Sequence, residues 1–248
     1  ASGRGWRTQS TSAVFLTAAS GVLLALLLGR RFDVAYVSAF TSRDLPTLYV
    51  FSAFWAGPEG SFLLWALVGG WAGVFLSRTA RDLEAPAMAC WCLAQGILLA
   101  MLVAHSPFMA GVPGATDGQG MNPVLQDPWM AIHPPVLFLG FVAATAPACL
   151  AAAALLTGKP GKWAVCALPW ASFAWLALGA GLTLGALWAY EVLGWGGFWG
   201  WDPVENSSLV PWLTGTVLLH GLVIQKRKGV SQRANVIFAL LTYLLVLY

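Results

Sequence analysis

The chain has 248 residues, of which 58% are apolar and only 9% charged, with a mean hydropathy of +0.72 and a formal net charge of +3. An ordinary soluble domain carries about 25% charged residues. This composition therefore cannot cover a water-facing surface, and it excludes a soluble enzyme, a nucleic-acid-binding domain and a disordered tail. The expected fold is all-α, a polytopic transmembrane helical bundle. Glycine (27) and proline (14) are compatible with membrane helices, and β-barrel alternation is absent.

In chain order, the Arg/Ser/Thr-rich opening from Ala1 to Ser12 lacks the apolar core of a signal peptide. Apolar stretches long enough to cross a bilayer follow at about 12–29, 61–77, 86–105, 135–157 and 164–188. A shorter one covers about 211–224, and a run from Val236 stops at Tyr248, too short to span alone. The expectation is thus about six spans and a truncated one in a single transmembrane domain, 1–248, that is part of a longer protein. The aromatic-rich stretches 30–60 and 189–210 are expected to hold interfacial amphipathic segments.

Charge placement orients the bundle. With the N-terminus inside, the inner segments hold Arg4, Arg7, Arg78, Arg81, Lys159, Lys162, Lys226, Arg227, Lys228 and Arg233, while the outer side holds only Arg30, Arg31 and Arg43. Among the acids only Asp82 and Glu84 fall inside. The positive-inside rule then makes the N-terminus cytoplasmic and the long aromatic loops periplasmic.

The cysteines, Cys90, Cys92, Cys149 and Cys166, all lie in or beside apolar spans and read as packing residues. No CxxC motif is present, which argues against a thiol oxidoreductase. Gly179, Gly181 and Gly185 permit close helix contact within the fifth span. The densest feature is WGGFWGWDPVENSSLVPW, from Trp195 to Trp212. Trp188, Trp195, Trp199, Trp201 and Trp212 are either an interfacial belt or, with Gly196 and Gly197 between them, a concave platform for a large planar ligand. Asp202-Pro203-Val204-Glu205 has the form of a helix capping box, which explains both carboxylates without acid–base catalysis.

Each histidine carries two readings. His220, nine residues past Pro211 and about 13 Å along a helix, falls near mid-membrane. It is either an axial ligand of haem iron or a histidine hydrogen-bonded between helices. His133, before Pro134-Pro135 at the outer mouth of the fourth span, is either a ligand or a turn residue. His105, at the end of the third span, favours a structural role. No convergent zinc set, nucleotide loop, nucleophile elbow or HExxH appears, and no catalytic residue is identified.

At these residues the chain resembles the WWD-domain haem-handling proteins of cytochrome c maturation, and the wording WDPVEN is closer to the CcmF-type haem lyase subunit than to its relative CcsA. Two further segments agree, Trp55-Ala56-Gly57-Pro58-Glu59-Gly60-Ser61-Phe62-Leu63-Leu64-Trp65 and Met121-Asn122-Pro123 through Trp129 to His133-Pro134-Pro135. A departure lies at Pro58, where many members read His. The resemblance implies a periplasmic haem-binding segment at 188–212, with Trp195, Trp199, Trp201, Trp188, Trp212, Gly196, Gly197 and Asp202 forming the platform. His133 matches the family's first periplasmic histidine, and His220 matches its first transmembrane histidine, a ligand to a resident b-type haem. The second histidine of each pair would lie beyond residue 248.

The implied activity is a haem lyase, or holocytochrome c synthase subunit, that joins haem b to the CxxCH thiols of apocytochrome c at the outer face of the bacterial inner membrane. Implied partners are a CcmE-type haem chaperone, CcmH- and CcmI-type subunits, apocytochrome c, a quinol as electron donor, and membrane lipid; nucleic acid is not among them. Beyond the family pattern, Arg30, Arg31 and Arg43 are the only outer cations. They are expected either to reach haem propionates or to anchor at lipid headgroups. The competing functions are a haem transporter and a non-enzymatic scaffold of the maturation complex.

Overall fold

The computed structural model describes residues 5–159, 163–194 and 196–247, with side chains from Thr8 onward in the first helix. Trp195, the side chains of Arg4 and Arg7, and Lys162 lie outside the described residues. Nine α-helices run through the described residues: α1 Gly5–Leu28, α2 Ala35–Phe40, α3 Thr47–Ser52, α4 Pro58–Thr79, α5 Glu84–Ala104, α6 Pro128–Thr157, α7 Trp163–Val192, α8 Pro203–Lys228 and α9 Gln232–Leu247. Six of them, α1 and α4 to α8, are long and apolar enough to cross a membrane. Helix α9, at 16 residues, is the shorter apolar run. The only β pairing among the described residues is an isolated bridge between Val34 and Ala110.

Local chemistry sets the helix ends. Helix α4 starts with Pro58 at its first position and Glu59 in its first turn, and finishes on Arg78, each matched to the helix dipole. Helix α6 begins where Asp127 Oδ1 accepts the backbone N–H groups of Trp129 (2.8 Å) and Met130 (3.3 Å), and ends on Gly158 in the left-handed region, φ +66°. Helix α8 begins at the Asp202 cap and closes with Lys226, Arg227, Lys228 and Gly229 at φ +71°.

Two expected boundaries move outward for this reason. The fourth span starts at Pro128 rather than about 135, because proline is tolerated in a first turn capped by Asp127. The sixth span is 26 residues long and starts at Pro203, eight residues before Pro211. The expected interfacial segments divide. Residues 30–60 supply α2 and α3, whereas 189–210 supplies the end of α7, a loop over 193–202 and the first turns of α8. The Asp202–Pro203 start recruits those turns into a span.

Apolar packing forms two clusters. One joins α4 to α9 through Leu76, Trp91, Leu150, Trp163 and Leu222; the other gathers Leu23, Leu27, Val37, Val50 and Leu63 beneath α2 and α3. Small residues let α6 and α7 meet closely. A Cβ on Gly140 would sit 2.7 Å from the Leu178 side chain, and one on Gly181 would sit 2.5 Å from Leu137. Between α8 and α9, the buried Asn235 amide donates to Gln225 Oε1 at 2.7 Å, an interhelical polar link.

The loops before α4 and before α6 are zipped together. Ala35 N donates to Met109 O (2.9 Å), Gly111 N to Asp33 O (2.7 Å) and Gln119 N to Ser38 O (2.7 Å). Arg43 N donates to Asp117 Oδ1 at 2.8 Å. The indole of Trp188, near the end of α7, donates to Val124 O at 3.1 Å. These bonds gather the aromatic loops on one face of the bundle.

Candidate functional site

His133 lies inside the second turn of α6 rather than ahead of it. Its Nδ1 is 3.0 Å from the Gly181 carbonyl on α7. A carbonyl only accepts, so Nδ1 carries the proton and Nε2 keeps its lone pair. The ring is stacked near Trp188, with centroids 6.3 Å apart and planes 15° from parallel. It also lies against Gly185, where a Cβ would fall 2.8 Å from Cε1 and 2.9 Å from Nδ1. Pro134 and Pro135 remove the helical N–H donors that the carbonyls of Met130 and Ala131 would otherwise meet. The α6–α7 mouth therefore combines an imidazole held on a carbonyl, an indole and two carbonyls without their helical N–H donors.

The 193–202 loop carries the next aromatic group. Tyr190 and Phe198 stack with centroids 4.3 Å apart and planes 10° from parallel, and both are about half exposed. Trp199 and Trp201 meet edge to face at 6.3 Å and 80°. Trp201 is 74% exposed, far above what an indole anchored in a core would show. Gly196 (φ +70°) and Trp201 (φ +57°) both occupy the left-handed region, which costs a non-glycine residue about 1 kcal/mol. The cap offsets part of that cost by anchoring the loop. Asp202 Oδ1 accepts from Glu205 N (2.8 Å), and Glu205 Oε2 reaches back to Gly200 N (2.7 Å). Both carboxylates are thus engaged in holding the loop to α8. Trp199 Nε1 is buried without a hydrogen-bond acceptor.

Trp212 stands apart from this group. It lies within α8, stacked on Trp175 of α7 at 5.5 Å and 20°, with its Nε1 donating to Trp175 O at 3.1 Å. Trp175 Nε1 in turn donates to Thr216 Oγ1 (2.8 Å), and Thr216 donates to Trp212 O (2.9 Å). This cross-helix lattice ends on His220, whose Nδ1 donates to Thr216 O at 2.8 Å, so that in the neutral ring Nε2 carries the lone pair. His220 is exposed on the bundle surface. Measured along α8 it stands about 26 Å from Pro203 and about 12 Å from Lys228, past the middle of the helix. His105 caps α5, its N–H donating to Met101 O.

The outer arginines differ in availability. The Arg30 guanidinium donates to the carbonyls of Ser42 and Leu45 and holds the loop that follows α1. Arg31 forms a two-point pair with Asp33 at 3.0 and 2.8 Å, which raises the arginine and lowers the aspartate from their ordinary pKa values. Arg43 uses its backbone N–H on Asp117 and presents an exposed side chain.

Sequence reasoning missed the carbonyls of Gly181 and Val124 and the Tyr190–Phe198 and Trp175–Trp212 stacks. Carbonyl acceptors leave no mark on composition. The flanking aromatics were visible in the chain, but nothing in their spacing paired them. The structure thus brings His133 and Trp188 together, joins Trp199 to Trp201, and places Trp212 with His220 on the α7–α8 face.

A family model described as Cytochrome C assembly protein matches residues 55–248. The chain is 41% identical over 240 residues to the cytochrome c-type biogenesis protein CcmF of Pseudomonas fluorescens, covering 94% of this chain and 36% of the relative. It is 37% identical to CcmF of Escherichia coli (91% and 36% covered), and 40% identical to that organism's probable cytochrome c-type biogenesis protein NrfE (94% and 43%). A solved structure, cytochrome c heme lyase CcmF, superposes with a TM-score of 0.85 at 32% identity, covering 98% of this chain and 39% of the other. The chain spans well under half the length of these relatives. On a match that takes in most of its residues, including both histidines and the tryptophan loop, the chain belongs to the cytochrome c assembly protein family.

Proposed function

We propose that this chain is the haem-receiving part of a cytochrome c haem lyase: it accepts haem as substrate at the α6–α7 mouth and 193–202 loop, for attachment to the CxxCH thiols of apocytochrome c. The observation that carries the reading is the shared state of the two family-matched histidines. Each donates Nδ1–H to a backbone carbonyl and keeps Nε2 for a metal. That leaves a ring nitrogen available to ligate iron in the neutral imidazole.

The residues divide the work. His133 would hold iron from one side, with Trp188 alongside and Gly185 leaving room for the ring. Trp199 and Trp201 offer indole faces for apolar burial, and the unpartnered Trp199 Nε1 is a donor for an anionic group. Of the three arginines, Arg43 is the one whose side chain is exposed and not engaged by a carbonyl or Asp33, and it is the candidate propionate contact. His220 would ligate a resident b-type haem, which supplies one-electron redox chemistry when bound. The Thr216 carbonyl, one turn back on α8, orients that imidazole. The remaining polypeptide would supply the second ligands. The charge distribution supports a site on the outer, periplasmic face of a bacterial inner membrane. There the reading calls for a CcmE-type chaperone, CcmH- and CcmI-type subunits, and a quinol donor.

The test is a reduced-minus-oxidised spectrum with a pyridine haemochrome assay on the full natural polypeptide, for wild type, His220→Ala and His133→Ala. The expected result is a b-type spectrum that His220→Ala abolishes and His133→Ala retains, with holocytochrome c yield lost in both. A haem-free wild type, or a spectrum unchanged by His220→Ala, would overturn the assignment and favour a scaffold.

A further inference from the structure

Away from His133, His220 and the 193–202 loop, two neighbouring cavities share part of their lining. The larger, about 730 Å³, is an almost wholly apolar groove in the membrane-facing wall between α1, α4, α6 and α7, running from Leu67 past Ala72 to Phe75. The smaller, about 370 Å³, lies where α4 ends and α7 begins and is lined by Arg78 and Arg81. Phe75, Pro169 and Trp170 line both. We propose that this composite is a binding site for an anionic phospholipid, with the phosphate at the two arginines and one acyl chain in the groove.

Length and charge support that occupant. Leu67 and Arg78 are about 17 Å apart along α4, matching the ~15 Å half-thickness of a hydrocarbon core. The groove walls are fixed by side-chain contacts. Trp71 Nε1 donates to Thr17 Oγ1 at 3.0 Å, and Trp170 packs edge to face on Phe75 at 5.4 Å. At the mouth, Arg81 adopts φ +54° in the turn between α4 and α5. This left-handed residue interrupts the helical run between α4 and α5, so that a second guanidinium joins Arg78 at the cavity. Asp82 shares the turn and moderates the charge. Pro169 takes away the helical N–H that the Val165 carbonyl would meet, leaving an acceptor beside the arginines that suits a headgroup hydroxyl. A zwitterionic lipid would bring its own cation to the arginines. An anionic lipid does not, and juxtamembrane basic residues attract such lipids.

The inference is independent of haem and is tested without it. The full natural polypeptide is reconstituted in phosphatidylcholine vesicles containing a small fraction of lipid with brominated acyl chains, either phosphatidylglycerol or phosphatidylcholine, and tryptophan quenching is read. The contribution of Trp71 and Trp170 is isolated by comparison with Trp71→Phe/Trp170→Phe. We expect that contribution to be quenched several-fold more by brominated phosphatidylglycerol. Arg78→Gln/Arg81→Gln, at exposed positions, should reduce it to the phosphatidylcholine level. Ala72→Phe, which fills the groove and keeps both arginines, should weaken quenching by both lipids. Equal quenching by the two lipids, a preference that survives the double glutamine variant, or reversal by inorganic phosphate alone would overturn the proposal. So would the absence of quenching at Trp71 and Trp170, the result expected if protein covers the groove.

Discussion

His133 and His220 share a tautomer but owe it to different levels of structure. The His133 proton is held by a carbonyl on another helix, and its ring is fitted against Gly185 and Trp188 of that helix. The His220 proton is held one turn back on its own helix, and its ring lies on the exposed surface. One imidazole is thus preorganised by tertiary packing and the other by helical geometry alone. Changes in packing should therefore separate the two sites.

The largest separation is expected from Gly185→Leu. Its side chain would occupy the space of the imidazole, and displacing a positioned ligand by about 1 Å costs roughly 100-fold in activity. Holocytochrome c yield should fall by that order while the b-type spectrum of His220 remains. Loss of both would show that the sites are not independently built.

Thr216→Val tests the other side. It strands the Trp175 Nε1 donor, at a cost of about 1–3 kcal/mol, but keeps the Thr216 carbonyl that orients His220. Thermal stability should drop while the haem spectrum keeps its axial-ligand signature. A changed signature would mean that the lattice, and not the helix, orients His220.

Smaller still is Asp202→Ala, which removes the α8 cap for about 1 kcal/mol and frees the Trp199–Trp201 loop from its anchor. Exchange of backbone amides over 193–202 should rise, and haem acquisition from the chaperone should weaken more than the resident haem does.

The smallest effect is one of pH. The backbone N–H groups of Arg43 and Gly118 hold the Asp117 carboxyl below the usual carboxylate range. A depressed folded-state pKa means that its contribution is fully present above about pH 3.9 and is lost as pH falls through the folded value. Hydrogen–deuterium exchange over 105–127, corrected for its intrinsic pH dependence, should rise at that acid limb in wild type. In Asp117→Asn the limb should be flat.

Much of the architecture was legible in the chain. Six spans, a seventh apolar run and the grouping of long aromatic loops follow from hydropathy, length and the placement of Lys and Arg, because lipid admits few backbone solutions. The cap at Asp202 was legible too, from four consecutive residues. Its consequence was not: the Asp202–Pro203 start lengthened α8 outward and set His220 about 26 Å from the helix start. Asp127 did the same for α6 and drew His133 into a helix. A hydropathy window finds apolar runs, whereas a cap extends a helix across polar and proline-containing turns that the window discounts.

Sequence by itself determined the class of structure, the family, and which histidines and tryptophans merit attention, since these depend on residue types and their order. Tertiary structure alone decided which of them meet. Trp188 was brought to His133, Trp212 was taken into the α7–α8 seam, Arg30 and Arg31 were engaged locally, and two arginines came to lie at the mouth of an apolar groove. The physical reason is that these outcomes turn on backbone carbonyls and on missing Cβ atoms across helix contacts, neither of which carries a side-chain signature in the sequence.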